Sequence, residues 1–410
     1  MQIVDGGVTA AAGFQAASCA AGIKKADRQD MALVYSTVPC RAAGTFTTNL
    51  VKAAPVLWDR EIVRDAAWKQ AAQAVVVNSG IANACTGQEG YDCCAASAQA
   101  VAEALQIPQK AVFTASTGVI GQQIPTEKIV AGIRQMAPKL TGGREAGAAA
   151  ARAIMTTDTM PKETAVTMEL GGRTVTIGGM CKGSGMIHPN MCTMLCFITT
   201  DAAITAELLQ EALSDCVPDT FNMVSVDGDT STNDTVLLMA NGLAQNPEIT
   251  DKNADFETFR TGLQEVCTVL AKKIASDGEG ATKLFETKVV HARDKEQAVI
   301  LSKAVITSNL TKAAIFGADA NWGRILCAMG YAGTAFDPAQ VDLWFESAAG
   351  TIQILQQGQA LPYSEEEATR ILSEAEVRAL VDLHEGDAQA VAWGCDLTYG
   401  YVKINADYRS

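Results

Sequence analysis

The spacing of apolar and polar positions changes period several times along the chain, which predicts mixed α and β structure. Residues 74–77 and 111–114 are short continuous apolar runs and read as buried strands. Each leads into a glycine-containing turn that would put Asn78 and Thr117 at strand ends. Residues 166–170 and 174–177 flank Gly171, Gly172 and Arg173 in a hairpin pattern. A further buried strand is predicted over 194–198, preceded by an irregular loop containing Gly183, Gly185, Pro189 and Asn190. Helical periodicity covers 92–105, 205–215 and 256–274, the last with Phe259, Leu263, Val266, Leu270 and Ile274 on one stripe. Asp294 with Gln297, and Ser364 with Glu367, have the spacing of helix starts. The acidic stretch 251–255 reads as a surface turn, and no internal repeat or uninterrupted apolar run of membrane-spanning length occurs.

Composition narrows the partners. At 410 residues, one large body or two interlocked domains are expected, and 48% hydrophobic with 19% charged residues describes a soluble globular chain. A net charge of −14 argues against nucleic acid and anionic membranes but suits a small cationic or zwitterionic substrate. Twelve scattered cysteines behind an N-terminus without a charged region and apolar run point to a reducing cytoplasm. No pair of Cys-x-x-Cys knuckles and no His-x-x-x-His spacing appears, so no metal is expected. The run at 178–184 has Lys-Gly-Ser where a phosphate loop requires Gly-Lys-Ser.

Only His188, His291 and His384 are present, too little for a Ser-His-Asp centre, so another proton acceptor is needed. His188 lies five residues before Thr193, but a loop histidine is more often simply solvated. An α-amine supplies the missing base. Thr193 stands where the 183–190 loop meets the 194–198 strand, a junction suited to a strained peptide bond. Attack of its hydroxyl on the Cys192 carbonyl, an N-to-O acyl shift and hydrolysis would release an N-terminal threonine. That amine, with a reference pKa near ~8, would then take the hydroxyl proton.

A loop followed by a threonine-containing strand is weak evidence alone, because β-branched residues mostly just pack in strands. The wider wording is specific. Gly-Val-Thr-Ala at 7–10, Ala-Gly-Thr-Phe-Thr-Thr-Asn at 43–49, Asn-Ser-Gly at 78–80 and Asn-Ala-Cys-Thr-Gly at 83–87 come first. Ser-Thr-Gly-Val-Ile-Gly at 116–121 and Met-Thr-Thr-Asp-Thr at 155–159 follow. Beyond position 193 stand Val-Asp-Gly-Asp-Thr-Ser-Thr-Asn-Asp-Thr at 226–235, Asp-Gly-Glu-Gly-Ala-Thr-Lys at 277–283 and Phe-Gly-Ala-Asp-Ala-Asn-Trp-Gly-Arg at 316–324. In this order they resemble the ornithine acetyltransferase (glutamate N-acetyltransferase) family of self-cleaving N-terminal-threonine enzymes.

That resemblance implies an α+β fold, an αββα sandwich of the ornithine acetyltransferase/DmpA-like type. Residues 1–192 and 193–410 would be α and β chains of one interlocked body, assembling as a heterotetramer of two of each. Cleavage at Cys192–Thr193 would precede transfer of acetyl from N2-acetyl-L-ornithine to L-glutamate through acetyl-Thr193, the recycling step of arginine biosynthesis. No cofactor is implied, although some members also take acetyl-CoA as donor. Thr117 and Gly118 match the oxyanion segment; Thr156, Lys182, Glu279, Asn405 and Ser410, with Thr193, match substrate-binding positions. An ammonium at 182 suits an α-carboxylate and a carboxylate at 279 suits a side-chain amine. On composition alone both would be solvated surface charges. Cys192 departs from the alanine usual there, and His188 and Ile81 are also unusual. Two alternatives stand beside this reading: an N-terminal-nucleophile aminopeptidase or amidase of similar fold, and a non-enzymatic binding protein.

Overall fold

Small and β-branched residues dominate the first half of the chain, and they build its sheet. The computed structural model describes residues 1–23, 27–188 and 194–407; Cys192, Thr193 and Ser410 therefore lie outside the described residues. Contacts divide the chain into two units: Met1–Gly183, Pro189–Asn222 and Thr230–Leu270 form one, and Ser184–His188, Met223–Asp229 and Ala271–Ser410 the other.

The first unit contains β1 (Gln2–Val4), β2 (Phe14–Cys19), β3 (Met31–Phe46), α1 (Ala54–Arg64), β4 (Ala72–Ile81), α2 (Gly87–Leu105), β5 (Val112–Val119), α3 (Thr126–Met136) and α4 (Arg144–Ala153). It continues with β6 (Lys162–Leu170), β7 (Arg173–Lys182), β8 (Leu195–Thr200), α5 (Ala206–Cys216), β9 (Thr235–Ala240) and most of α6 (Ala254–Ser276). The strands form one path, β1-β6-β7-β8-β9-β3-β4-β5, with β2 also on β3. β3 serves two segments of this sheet. Its first five residues pair with β2 and β4, and Arg41 to Phe46 pair with β9. The register breaks between Tyr35 and Cys40, where Pro39 has no N–H to donate.

Helices α1 and α2 cover β5, α3 lies on β2 and β3, α4 on β2, β3, β6 and β7, and α5 on β3 and β9. The predicted stripe of α6 is fully buried. Gly179 of β7 leaves room for its Val266 and Leu270. Leu33, Val75, Val77, Phe113, Phe197 and Leu237 belong to one core cluster. The predicted hairpin is β6–β7, turned by Gly171 and Gly172 at φ +54° and +76°.

Strands β4 and β5 run further than their apolar runs suggest, through Asn78 and Thr117, so neither residue sits in a turn. Gly80 and Gly118 adopt φ +109° and +133°, open mainly to glycine. The parallel ladder therefore continues, with Ser79 opposite Thr117 and Gly80 opposite Gly118.

The second unit holds β10 (Leu284–Ala292), α7 (Lys295–Thr307), α8 (Asn309–Phe316), α9 (Trp322–Gly330), β11 (Asp342–Ser347), β12 (Gly350–Gln356), β13 (Gln359–Ala360), α10 (Glu365–Leu372), β14 (Glu376–Asp382), β15 (Ala388–Cys395) and α11 (Tyr399–Asp407). Its sheet has the order β13-β12-β11-β14-β10-β15, with only β10–β14 parallel. Both predicted caps form: Asp294 accepts from Gln297 N–H at 2.8 Å and Ser364 from Glu367 N–H at 3.2 Å. The α+β expectation is met, and no single described helix is long and apolar enough to cross a membrane.

Candidate active site

Lys182 ends β7, where the sheet buries its stem to 7% exposure. Its ammonium donates to Thr156 Oγ1 at 2.8 Å and to Thr117 Oγ1 at 3.2 Å. An ammonium this deep needs a counter-charge. Asp158 provides it, with Oδ2 4.0 Å from Lys182 Nζ, while its Oδ1 meets the fully buried Lys162 Nζ at 2.7 Å. Gly183 N–H donates to Oδ1 at 2.8 Å and Thr156 N–H to Oδ2 at 3.0 Å. Burial alone would raise the Asp158 carboxyl. The charges of Lys182 and Lys162, with the hydrogen bonds from Lys162 and Gly183, outweigh burial and hold it well below the usual carboxylate range. Asp158 is thus anionic at neutral pH and fixes where Lys182 points.

Thr117 stands near the end of β5 at 9% exposure. Because its Oγ1 accepts from Lys182, its own O–H proton stays available to a second acceptor. Gly118 could carry no side chain, since a Cβ there would lie 2.2 Å from the Gly80 carbonyl carbon. The strand end is clamped from behind. Asn233 Nδ2 donates to Ser116 O at 2.7 Å and to Ala82 O at 2.6 Å, and Ser116 Oγ donates to Asn78 Oδ1 at 2.6 Å. Across β7–β8, Lys182 is registered opposite Leu195, two residues after Thr193 in sequence. Met194, the next residue after Thr193, accepts from Thr235 N–H at 2.9 Å, which anchors the start of β8 beside β9.

In the second unit, Glu279 is buried to 8% exposure and takes Asn405 Nδ2 on Oε2 at 2.8 Å. Its N–H donates to Ser184 O at 2.8 Å. Gly185 makes room for the carboxylate, since a Cβ at 185 would fall 2.4 Å from Glu279 Cδ. Gly280, at φ +71°, lets Tyr401 N approach as closely. Asp227 accepts Met186 and Ile187 N–H at 2.6 and 2.7 Å and the Tyr401 hydroxyl at 3.4 Å. Burial, then the charges of Asp227, Glu279 and Asp229, push the Tyr401 phenol well above its ordinary value, so it stays a neutral donor.

Thr117, Gly118, Thr156 and Lys182 thus come together in one unit, and Glu279 with Asn405 in the other. Lys182 and Glu279 are each buried and hydrogen-bonded within their own unit, not solvated charges. His188 also differs from the solvated loop residue predicted. It is half-buried with Nδ1 3.1 Å from Ser225 Oγ, and burial followed by the Lys303 charge lowers its pKa to about 4. Sequence reasoning assigned no site role to Asp158, Lys162, Asn233 or Gly185, although all but Lys162 stand in runs or loops it marked. Asp158 and Lys162, four residues apart, have the spacing of an ordinary solvated pair, so nothing marked them as buried.

On an α+β scaffold, a hydroxyl, an ammonium and a glycine backbone thus lie at or near strand ends, a set of donors of the kind that anionic and carbonyl oxygens accept. The chain belongs to the ArgJ family, which it matches over residues 15–410. The arginine biosynthesis bifunctional protein ArgJ of Symbiobacterium thermophilum is 53% identical over 412 residues, covering 100% of both chains. That of Caldanaerobacter subterraneus is 47% identical over 410 residues, again covering 100% of both. A solved ArgJ chain from Bacillus halodurans is 50% identical with a TM-score of 0.50, covering 52% of this chain and 99% of the solved one.

Proposed function

We propose that the chain transfers an acetyl group from N2-acetyl-L-ornithine to L-glutamate after cleaving itself at Cys192–Thr193. The observation that carries this reading is the hydrogen bonding of the Lys182 ammonium to Thr117 and Thr156, with Lys182 itself registered opposite Leu195, two residues after Thr193. Full-length coverage of relatives named for arginine biosynthesis supports the same pathway. The solved relative's chain, matched almost whole by about half of this one, supports the cut.

Thr193 Oγ attacks the acetyl carbonyl while its α-amine takes the proton. The tetrahedral oxyanion accepts from the Thr117 hydroxyl and the Gly118 N–H. Ornithine leaves with the returned proton, and the glutamate amine attacks acetyl-Thr193 by the reverse path. Lys182, steadied by Asp158 and Thr156, holds the α-carboxylate; Glu279, oriented by Asn405, accepts the ornithine side-chain ammonium, and Ser410 closes the set. We place the enzyme in the cytoplasm as a heterotetramer of two α and two β chains, without a cofactor. The word bifunctional in the relatives' name supports acetyl-CoA as a second donor.

Exchange of labelled acetyl from acetyl-ornithine to glutamate tests the reaction: transfer with little free acetate is expected, and release of acetate to water instead would show a hydrolase. Thr117→Ala is expected to lower kcat by roughly 10²-fold with little change in KM, because the lost donor acts in the transition state. An unchanged kcat removes Thr117 from the site. Glu279→Gln is expected to weaken acetyl-ornithine relative to an acetylated neutral amino acid of similar length by about 1.5–3 kcal/mol, the range for a hydrogen bond to a charged group. Equal losses for both substrates would assign Glu279 to the loop alone.

A further inference from the structure

Two of the three histidines meet at one end of the six-stranded sheet. His291 lies near the end of β10, beside Asp382 at the end of the parallel β14, and His384 follows two residues later. Asp342 opens β11 directly opposite Asp382. His291 Nδ1 is 2.8 Å from Asp382 Oδ2, and His384 Nδ1 is 3.5 Å from Asp382 Oδ1. The ligand-capable atoms of His291, Asp382 and His384 all lie within 4.8 Å of one another. Ligands on one zinc ion, each about 2.0–2.2 Å from it, stand apart by comparable distances.

We propose that His291, His384 and Asp382 form a binding site for a zinc-class divalent transition metal. Two imidazoles and one carboxylate suit zinc or cobalt better than magnesium or calcium, which favour oxygen alone. The other ring nitrogen of His384 is already taken: Nε2 lies 2.9 Å from Asp342 Oδ2, the carboxylate–histidine arrangement that orients metal-binding imidazoles. Asp342 is itself held by Gln357 N–H at 2.6 Å, and Asp382 by His384 N–H at 3.0 Å. The side chains of His291 and His384 are 55% and 44% exposed, so an ion has a path in and a coordination position open to water. Bound there, the metal ties β10 to β14 and stabilises this unit by mass action. The site shares no residue with the acetyl-transfer groups, and His291 lies on another strand, 91 residues before Asp382 and further from His384, which is why no local spacing motif announced it.

The test uses full-length protein stripped with a chelator and passed through a desalting column, then titrated with zinc against a chromophoric chelator and with cobalt by visible absorption. One equivalent per chain is expected, with a raised thermal midpoint and a cobalt spectrum lacking thiolate charge-transfer bands. His291→Asn with His384→Asn is expected to weaken binding by more than ~100-fold, beyond the 10–100-fold typical of losing an outer partner, which Asp342→Asn should show. Asparagine tolerates the positive φ of both positions, +51° and +54°, so the fold is retained. The single His384→Asn variant gives the same reading should the double one fold poorly. Equal zinc binding by wild type and variants, thiolate bands from Cys85 or Cys327, or no binding at micromolar free zinc would each overturn the site.

Discussion

Thr193→Ala is expected to yield one uncleaved chain of 410 residues and an exchange rate lower by roughly 10⁶-fold, the scale of losing a catalytic nucleophile. Both effects would share one cause, since in the proposed mechanism the hydroxyl that opens the peptide bond also carries the acetyl group. In the wild type, mass measurement under denaturing conditions is expected to show fragments of 192 and 218 residues, the second beginning Thr-Met-Leu-Cys. Thr193→Ser keeps a hydroxyl and is expected to be processed. A wild-type chain that stays whole at full activity would remove the N-terminal amine from the mechanism. Cys192 has a small side chain, so Cys192→Ala is expected to leave the cut in place.

Asp158→Asn is expected to destabilise the protein by about 3–5 kcal/mol at neutral pH, because two buried ammonium groups lose the carboxylate between them. Urea unfolding in the uncleaved Thr193→Ala background keeps the comparison within single chains. The pH dependence has a definite sign. The folded carboxyl lies below its unfolded value of roughly 3.9, so its contribution is complete above that value and is lost as pH falls further. Wild type should therefore lose stability below about pH 4 more steeply than the variant. Matching acid profiles, or a neutral-pH difference under ~1 kcal/mol, the scale of a single neutral hydrogen bond, would show that the pair does not bear on stability. Loss of the anchor should also raise the KM for acetyl-ornithine through Lys182.

Periodicity located what periodicity encodes. The α6 stripe, the β6–β7 hairpin with its paired glycines and the caps at Asp294 and Ser364 follow from local spacing, and each stands where its residues demand. The extent of β4 and β5 was hidden because glycines that usually end strands here keep a ladder in register through positive φ. β3 escaped for another reason: its two halves face different neighbours, so no single alternation runs along it. In the site, Thr117, Thr156, Lys182, Glu279 and Asn405 were named by wording rather than by chemistry visible in a linear string. Asp158 stands inside one of the matching runs, yet its part in the site cannot be read from the run. Only the fold reveals that one carboxylate serves two lysines and two backbone amides at once.

The register of β7 against β8 reaches beyond catalysis. Strands from either side of position 193 are neighbours in one sheet, so under the proposed cleavage the covalent connection between them would serve while the chain finds this arrangement and be dispensable afterwards. Once it is cut, unfolding separates two molecules whose reunion costs several kcal/mol of translational and rotational freedom that the precursor never loses. Recovery from denaturant should then depend on protein concentration for the processed form and not for the precursor. Maturation would turn a unimolecular folding problem into a bimolecular one.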